Sequence, residues 1–184
     1  WRMHWSEAGL PQNFQIIDSD DQQRLVKRIM KELGVDEKKW PARQATWFIN
    51  GEKDEGRRAR HVPDSDDLFQ IIHKRIYTAY EEVCDQGGLV DFAELLLRSH
   101  ELWLNNAELL GHYQQRFQHL LVDEFQDTNT IQYAWLRVLA GEHGKVMAVG
   151  DDDQSIYGWR GAKIENIQQF TSDFKSVLTV RLEQ

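Results

Sequence analysis

Apolar residues recur every three or four positions through most of residues 1–117, which is the spacing of one face of an α-helix. The pattern predicts helices over residues 19–34, 41–51 and 66–86, each ending at a glycine or an Asn-Gly pair. The first part of the chain is therefore predicted to be mostly helical.

Two further helices are predicted to begin at side-chain caps. Asp91 can cap a leucine-rich helix, and Asn105 or Asn106 can cap a short helix that ends near Phe117. Residues 14–17 form a short apolar piece that suits a strand.

Residues 118–184 alternate short apolar runs with helical segments. The runs 120–122, 146–149 and 177–182 are predicted as strands, and the continuous apolar character of the first two favours their burial on both faces. The helices predicted between them cover residues 130–139, capped by Asn129 with Gln132, and residues 163–170. Strands joined by helical crossovers indicate a parallel α/β sheet.

The most polar stretch is residues 52–67, which is predicted to be exposed. Its basic side chains are those of Lys53, Arg57, Arg58, Arg60 and His61. An exposed basic loop could contact a DNA backbone, and an ordinary solvated loop is an equally good interpretation.

Composition limits the function classes. The 184 residues are 41% hydrophobic and 28% charged, as in a soluble globular protein, and no apolar run is long enough to span a membrane. The net charge of -8 predicts that any contact with nucleic acid is local. The single cysteine, Cys84, cannot form an internal disulfide, which fits a cytoplasmic location. The seven histidines show no zinc-binding spacing.

Acidic residues follow the first two predicted strands of the second part. Asp123 and Glu124 come after one strand, and residues 151–153 with Gln154 come after the next. Ligands collect at the carboxyl ends of parallel strands, where such carboxylates could hold magnesium and activate a water. An acid pair by itself also occurs in ordinary polar turns. Clustered acids repel each other unless a cation or an arginine such as Arg160 lies close by.

Two aromatic residues, Tyr157 and Trp159, lie beside Arg160 in a turn flanked by glycines. Exposed aromatics beside an arginine favour a binding surface, although packing of the turn is the alternative.

Two segments resemble motifs II and III of the UvrD/Rep/PcrA group of superfamily 1 DNA helicases. They are DEFQDTN at 123–129 and VGDDDQSIYGWRGA at 149–162; the segment VDFAELLL at 90–97 also resembles a helicase stretch. The resemblance implies a partial parallel sheet of the RecA-like P-loop NTPase type in residues 118–184, belonging to a first motor domain. Residues 1–117 would then be a helical accessory domain inserted before it.

The resemblance also implies roles in ATP hydrolysis. Asp123 would coordinate the magnesium of Mg-ATP, and Glu124 would polarise the attacking water. Gln126 and Asp127 would tie this motif to neighbouring loops. Gln154 would sense the γ-phosphate and thereby link the nucleotide state to the grip on DNA.

Contacts with DNA are implied for the aromatic turn. Tyr157 and Trp159 would lie against single-stranded DNA, with Trp159 stacking on a base, and Arg160 would bridge the acids and the DNA. The expected partners are ATP, a junction of single-stranded and duplex DNA, and repair proteins. The parent would be a cytoplasmic ATP-dependent helicase of DNA repair or replication.

The phosphate-binding pattern GxxxxGK[ST] occurs nowhere in the sequence. Both termini read as cut within structural elements, so we expect an internal fragment that is inactive alone because it lacks that loop and the second motor domain. Two other classes remain open: a non-catalytic module that binds single-stranded DNA or docks a partner, and a magnesium nuclease built from Asp123, Glu124 and residues 151–153. Single-strand binding insensitive to Trp159→Ala would favour the first, and metal-dependent strand cleavage the second.

Overall fold

The structure is a computed structural model, and it describes residues 3–151 and 165–180. The predicted site residues Gln154, Tyr157, Trp159 and Arg160 lie outside the described residues. The helices of the described part are α1 (Ser19–Glu32), α2 (Ala42–Asp54), α3 (Leu68–Gly87), α4 (Phe92–Asn105), α5 (Ala107–Arg116), α6 (Thr130–Ala140) and α7 (Glu165–Asp173). The strands are β1 (Gln15–Ile16), β2 (Leu89–Val90), β3 (His119–Val122) and β4 (Lys145–Ala148).

The predicted helix caps that involve residues close together in the sequence are confirmed. The Asp91 carboxylate accepts the backbone N–H of Glu94 at the start of α4, and Asn129 and Gln132 form a capping box at the start of α6. Gly88 ends α3 in the left-handed conformation, where an added Cβ would meet Pro11 Cγ at 2.5 Å.

The predicted end of the second helix at residues 50–51 is wrong, because α2 continues to Asp54. Ile49 and Lys53 are both buried on the same face of this helix, and the Asn50 side chain is hydrogen-bonded to Gln22 of α1. Packing against other helices therefore outweighs the local preference of an Asn-Gly pair for a turn.

The helical part has a core between α1, α2 and α3, with fully buried side chains from each helix. Strands β1 and β2 pair in parallel beside it, in the register Gln15↔Leu89 and Ile16↔Val90. The polar stretch 52–67 was wrongly predicted to be an exposed loop, since Lys53, Ala59 and Val62 within it are buried.

Strands β3 and β4 are parallel neighbours in the register His119↔Lys145 to Val122↔Ala148. Their inward side chains pack with Phe125 of the following turn, with α6 and with α7. The outer face is open: Leu121 is 80% exposed and Met147 is 60% exposed. The prediction that both faces are buried is therefore wrong for the described residues, because no described element covers the second face.

The predicted third strand over 177–182 is not formed in residues 177–180, the portion that the structure describes. Val177 packs against the core below β3 and β4, whereas Leu178 and Val180 are exposed. An apolar run becomes a strand only where a neighbouring strand accepts its hydrogen bonds, and none of the described strands does so here. In the same described ranges, no helix is long and apolar enough to cross a membrane.

Candidate functional site

The carboxyl ends of β3 and β4 form one rim of the molecule. Beyond the strands proper, Val149 donates its N–H to Val122 at 2.8 Å, and Phe125 donates to the Val149 carbonyl at 2.9 Å. These bonds keep the two segments adjacent as far as Asp123 and Glu124 after β3 and Asp151 after β4. Asp123 and Glu124 are therefore brought close to Asp151, which is the described acid after β4.

Glu124 has a left-handed backbone, with φ 50° and ψ 42°. A residue with a Cβ reaches this region at a cost of about 1 kcal/mol, so the surrounding contacts must hold it there. One of these contacts is the hydrogen bond from Gln126 Nε2 to Glu124 Oε2, 2.7 Å long. The carboxylate of Glu124 is thus oriented by a neighbouring amide rather than left free.

Gln126 also joins the two strand ends. Its Oε1 accepts the backbone N–H of Asp151 at 3.1 Å, while its Nε2 donates to Glu124. Gln126 is 1% exposed, whereas its partners Glu124 and Asp151 are exposed, so both bonds are partly buried. Gly150 permits this approach, because a Cβ at that position would lie 2.7 Å from Gln126 Oε1.

The loop from Thr128 to Thr130 is held from a second direction by α7. Asn166, in the first turn of α7, is 4% exposed. Its Nδ2 donates to the Thr128 carbonyl at 2.9 Å, to Thr128 Oγ1 at 3.2 Å and to the Asn129 carbonyl at 3.4 Å.

The end of α2 holds the same loop from a third direction. Thr130 Oγ1 donates to the carboxylate of Glu55, at 3.3 Å to each oxygen. Burial raises the pKa of Asp54 to about 6, with Glu55 adding to the rise and the Asn129 side chain opposing it. The helical part of the chain therefore contacts the loop after β3 directly.

A buried network of ion pairs lies at the C-terminal end of α2. The Lys53 ammonium, 2% exposed, contacts Asp91 at 2.7 Å and Glu94 at 3.0 Å. Burial alone would lower the Lys53 pKa, but these two carboxylates outweigh it and hold that pKa above its usual value. Burial likewise opposes ionisation of Glu94, yet Lys53 and Arg58 bring its pKa down to about 2.

The network accounts for most of the basic residues that were considered as a DNA contact. Arg58 pairs with Glu81, Glu94 and Glu101, and Arg57 pairs with Glu52. Among the described residues, only Arg60 and His61 of this basic group have no carboxylate partner; both are exposed, and the paired Arg57 side chain is 40% exposed. The charges of the other three are neutralised within the fold, so the stretch is a structural element rather than a free basic loop.

The rim offers a suitable ligand for magnesium. Asp123 is exposed at the strand end; its Oδ1 accepts the Glu124 N–H at 2.9 Å, and among the described residues its second oxygen has no hydrogen-bond partner. Magnesium keeps several waters and takes one or two carboxylates together with substrate phosphates, so a single exposed carboxylate fits it. Among residues 3–151 and 165–180, no cluster of three His, Cys, Asp or Glu side chains could hold a metal by itself.

Comparison with known protein families identifies the family of this chain. The sequence profile of the UvrD/REP helicase N-terminal domain matches residues 2–175. The chain belongs to this family.

Individual proteins that are similar in sequence to this UvrD/REP family chain support the family assignment. DNA helicase II of Salmonella typhimurium is 61% identical over 183 residues, which cover 100% of this chain and 25% of that protein. DNA helicase II of Escherichia coli has the same identity over 183 residues. ATP-dependent DNA helicase PcrA of Leuconostoc citreum is 38% identical over 177 residues, 96% of this chain and 24% of that protein. The chain spans about a quarter of the length of these relatives.

Several residues that position the rim of this UvrD/REP family chain were not singled out in the sequence. Asn166 was missed, although it stands four residues before Phe170, on the buried face of a predicted helix, where a polar residue is unusual. Asp54 and Glu55 were missed because their stretch was interpreted as solvated. The predicted tie from Gln126 to a neighbouring loop is present as its bond to Asp151.

Proposed function

We propose that this chain is part of a longer ATP-dependent DNA helicase, in which residues 118–184 contribute to a RecA-like motor domain and residues 1–117 form a helical accessory domain. The observation that carries the proposal is the shared rim at which Asp123, Glu124 and Asp151 meet, joined through the buried Gln126. In parallel α/β folds, this end of the strands is where nucleotides bind.

Asp123 and Glu124 divide the work at the rim. The exposed carboxylate of Asp123 would hold the magnesium ion, which would neutralise charge on the phosphates of ATP. Glu124, oriented by Gln126, accepts a proton from the water that attacks the γ-phosphate. Because Gln126 fixes the carboxylate before the substrate arrives, little reorganisation is needed during the reaction.

The DNA contacts belong to the segment that follows Asp151. We propose that Gln154 responds to the γ-phosphate, that Tyr157 and Trp159 lie against single-stranded DNA, and that Arg160 links the two sites. Stacking of a base on an aromatic ring contributes about 1–3 kcal/mol and tolerates any base, which suits movement along a strand.

The first experiment measures ATP hydrolysis with and without single-stranded DNA, for the 184-residue chain and for the full-length helicase that contains it. The chain lacks a GxxxxGK[ST] loop, so we expect negligible hydrolysis by the chain and DNA-stimulated hydrolysis by the full-length protein. Clear DNA-stimulated hydrolysis by the chain would refute the view that its nucleotide site is incomplete. Magnesium-dependent strand cleavage would favour a nuclease instead.

The second experiment tests Glu124 in the full-length protein. Glu124→Gln should lower kcat by a factor of about 10²–10⁴ while Mg-ATP binding is retained, since the amide cannot accept the proton. The matched control is Glu142→Gln, an exposed position in the turn after α6. A Glu124→Gln protein as active as the wild type would contradict the assigned role.

A further inference from the structure

The buried amide of Asn166 donates every hydrogen bond that its side chain makes within the described residues. Thr128 Oγ1 donates its own proton to the Phe125 carbonyl at 2.8 Å, so it must accept, not donate, in its bond with Asn166. The other two partners of Asn166 Nδ2 are carbonyl oxygens. All three contacts therefore require a donor at this position, and aspartate, with the same shape, supplies none when ionised.

The bonds from Asn166 act on the turn that carries Glu124. The Thr128 N–H donates to the Phe125 carbonyl at 3.1 Å, and the Asp127 N–H donates to the Glu124 carbonyl at 2.9 Å. These two bonds close the turn between Glu124 and Thr128. A displacement of α7 is therefore transmitted through Thr128 to the backbone of Glu124.

The opposite side of the loop cannot yield freely. Thr130 is hydrogen-bonded to Glu55 at the end of α2, which is supported by the buried Lys53 network. The loop is therefore held from α2 on one side and from α7 on the other.

We propose that Asn166 is a positioning residue that couples the placement of α7 to the orientation of the Glu124 carboxylate, and so sets how strongly DNA stimulates ATP hydrolysis. This inference rests on the proposed function. In the sequence, α7 begins three residues after the segment that resembles motif III, so the proposed DNA-contacting segment and α7 are joined by a short stretch of chain.

The test compares Asn166→Asp with wild type in the full-length helicase, measuring kcat with and without single-stranded DNA. The readout is the ratio of the two kcat values. A variant that only loses folded protein lowers both rates together and leaves the ratio unchanged, whereas loss of coupling lowers the ratio. We expect the ratio to fall by about tenfold, with KM for ATP changed by less than about twofold.

Matched variants separate the donor from the added charge. Gln169→Glu makes the same amide-to-carboxylate change at an exposed position of α7, and its ratio should equal that of the wild type. Asn166→Ala removes the donor without adding charge and should also lower the ratio, which keeps the test usable if the aspartate variant does not fold.

The measured ratios separate the coupling role of Asn166 from the proposed function. A reduced ratio in both Asn166 variants, with Gln169→Glu unchanged, supports the coupling role. A wild-type ratio in Asn166→Ala overturns it while leaving the proposed function intact. Absence of DNA-stimulated hydrolysis in the wild-type protein instead overturns the proposed function.

Discussion

Asp54 keeps a titratable carboxyl at the contact between α2 and the loop after β3. Burial raises its pKa from 3.8 to about 6, so the folded protein takes up a proton at a pH where the unfolded chain remains ionised. The stabilisation from this proton is full below the unfolded pKa and is lost as pH rises through the folded value of about 6. Near-neutral pH is thus the range in which Asp54 costs most stability.

We predict that Asp54→Asn stabilises the 184-residue chain at about pH 7.5 and that this gain shrinks as pH falls towards about 4.5. The amide stays neutral at every pH, so its burial carries no cost of ionisation. Urea unfolding of both proteins across this range measures the difference, with the exposed Asp66→Asn as the control that should show no such trend. A gain that is constant with pH would contradict the raised pKa.

Cys84 lies on the buried face of α3 and is 7% exposed. Burial raises the pKa of its thiol to about 12, so almost no reactive thiolate is present at neutral pH. We predict that a thiol reagent labels the native chain at least about 100-fold more slowly than the urea-unfolded chain at the same pH. Equal labelling rates in the two states would show that α3 opens readily or packs differently.

At the scale of elements, the Lys53 network ties α2 to α4 across a separation of 38 residues in sequence. We predict that Lys53→Met destabilises the chain by roughly 3–5 kcal/mol, because Asp91 loses the cation that neutralises it inside the protein. The matched control is Lys74→Met, which removes the exposed pair with Asp64 and should cost less than about 1 kcal/mol. Chemical unfolding of the two variants measures both values, and similar losses would indicate that Lys53 is not held in a buried pair.

Helix caps could be predicted from the sequence, whereas the burial of Lys53 and the backbone conformation of Glu124 could not. The caps at Asp91, Gly88 and Asn129 were predicted because each depends on residues within one helical turn. The burial of Lys53 was missed because its partners come from another helix, and a charged stretch is normally solvated. The left-handed backbone of Glu124 was equally out of reach, since it is stabilised through Gln126 by the end of a different strand.

At the scale of the whole molecule, one loop collects the contacts of three separate elements. The segment from Asp123 to Thr130 is bonded to the end of β4 through Gln126, to α7 through Asn166 and to α2 through Glu55. The rim at the strand ends could be predicted from the order of apolar runs and acids. The tie through Gln126 was expected only from the family resemblance. The tethers through Asn166 and Glu55 could not be predicted, because they join segments 38 and 75 residues apart in the chain.

The same scale includes the open outer face of β3 and β4. Leu121 and Met147 are direct partners in the parallel register, and both point away from the core. Parallel sheets normally have both faces covered, and an uncovered apolar strip binds apolar probes and other chains. The 184-residue chain should therefore bind the dye ANS and associate as its concentration rises.

We predict that Leu121→Lys combined with Met147→Glu lowers both ANS fluorescence and self-association without loss of stability. The two new side chains are opposite each other, so they form a cross-strand ion pair that contributes about 0.2–1 kcal/mol and leaves the net charge unchanged. The control is Leu104→Lys with Leu68→Glu, which alters exposed leucines on α4 and α3. ANS titration and sedimentation velocity measure the effect, and an equal decrease in both double variants would show that the sheet face has no special part in association.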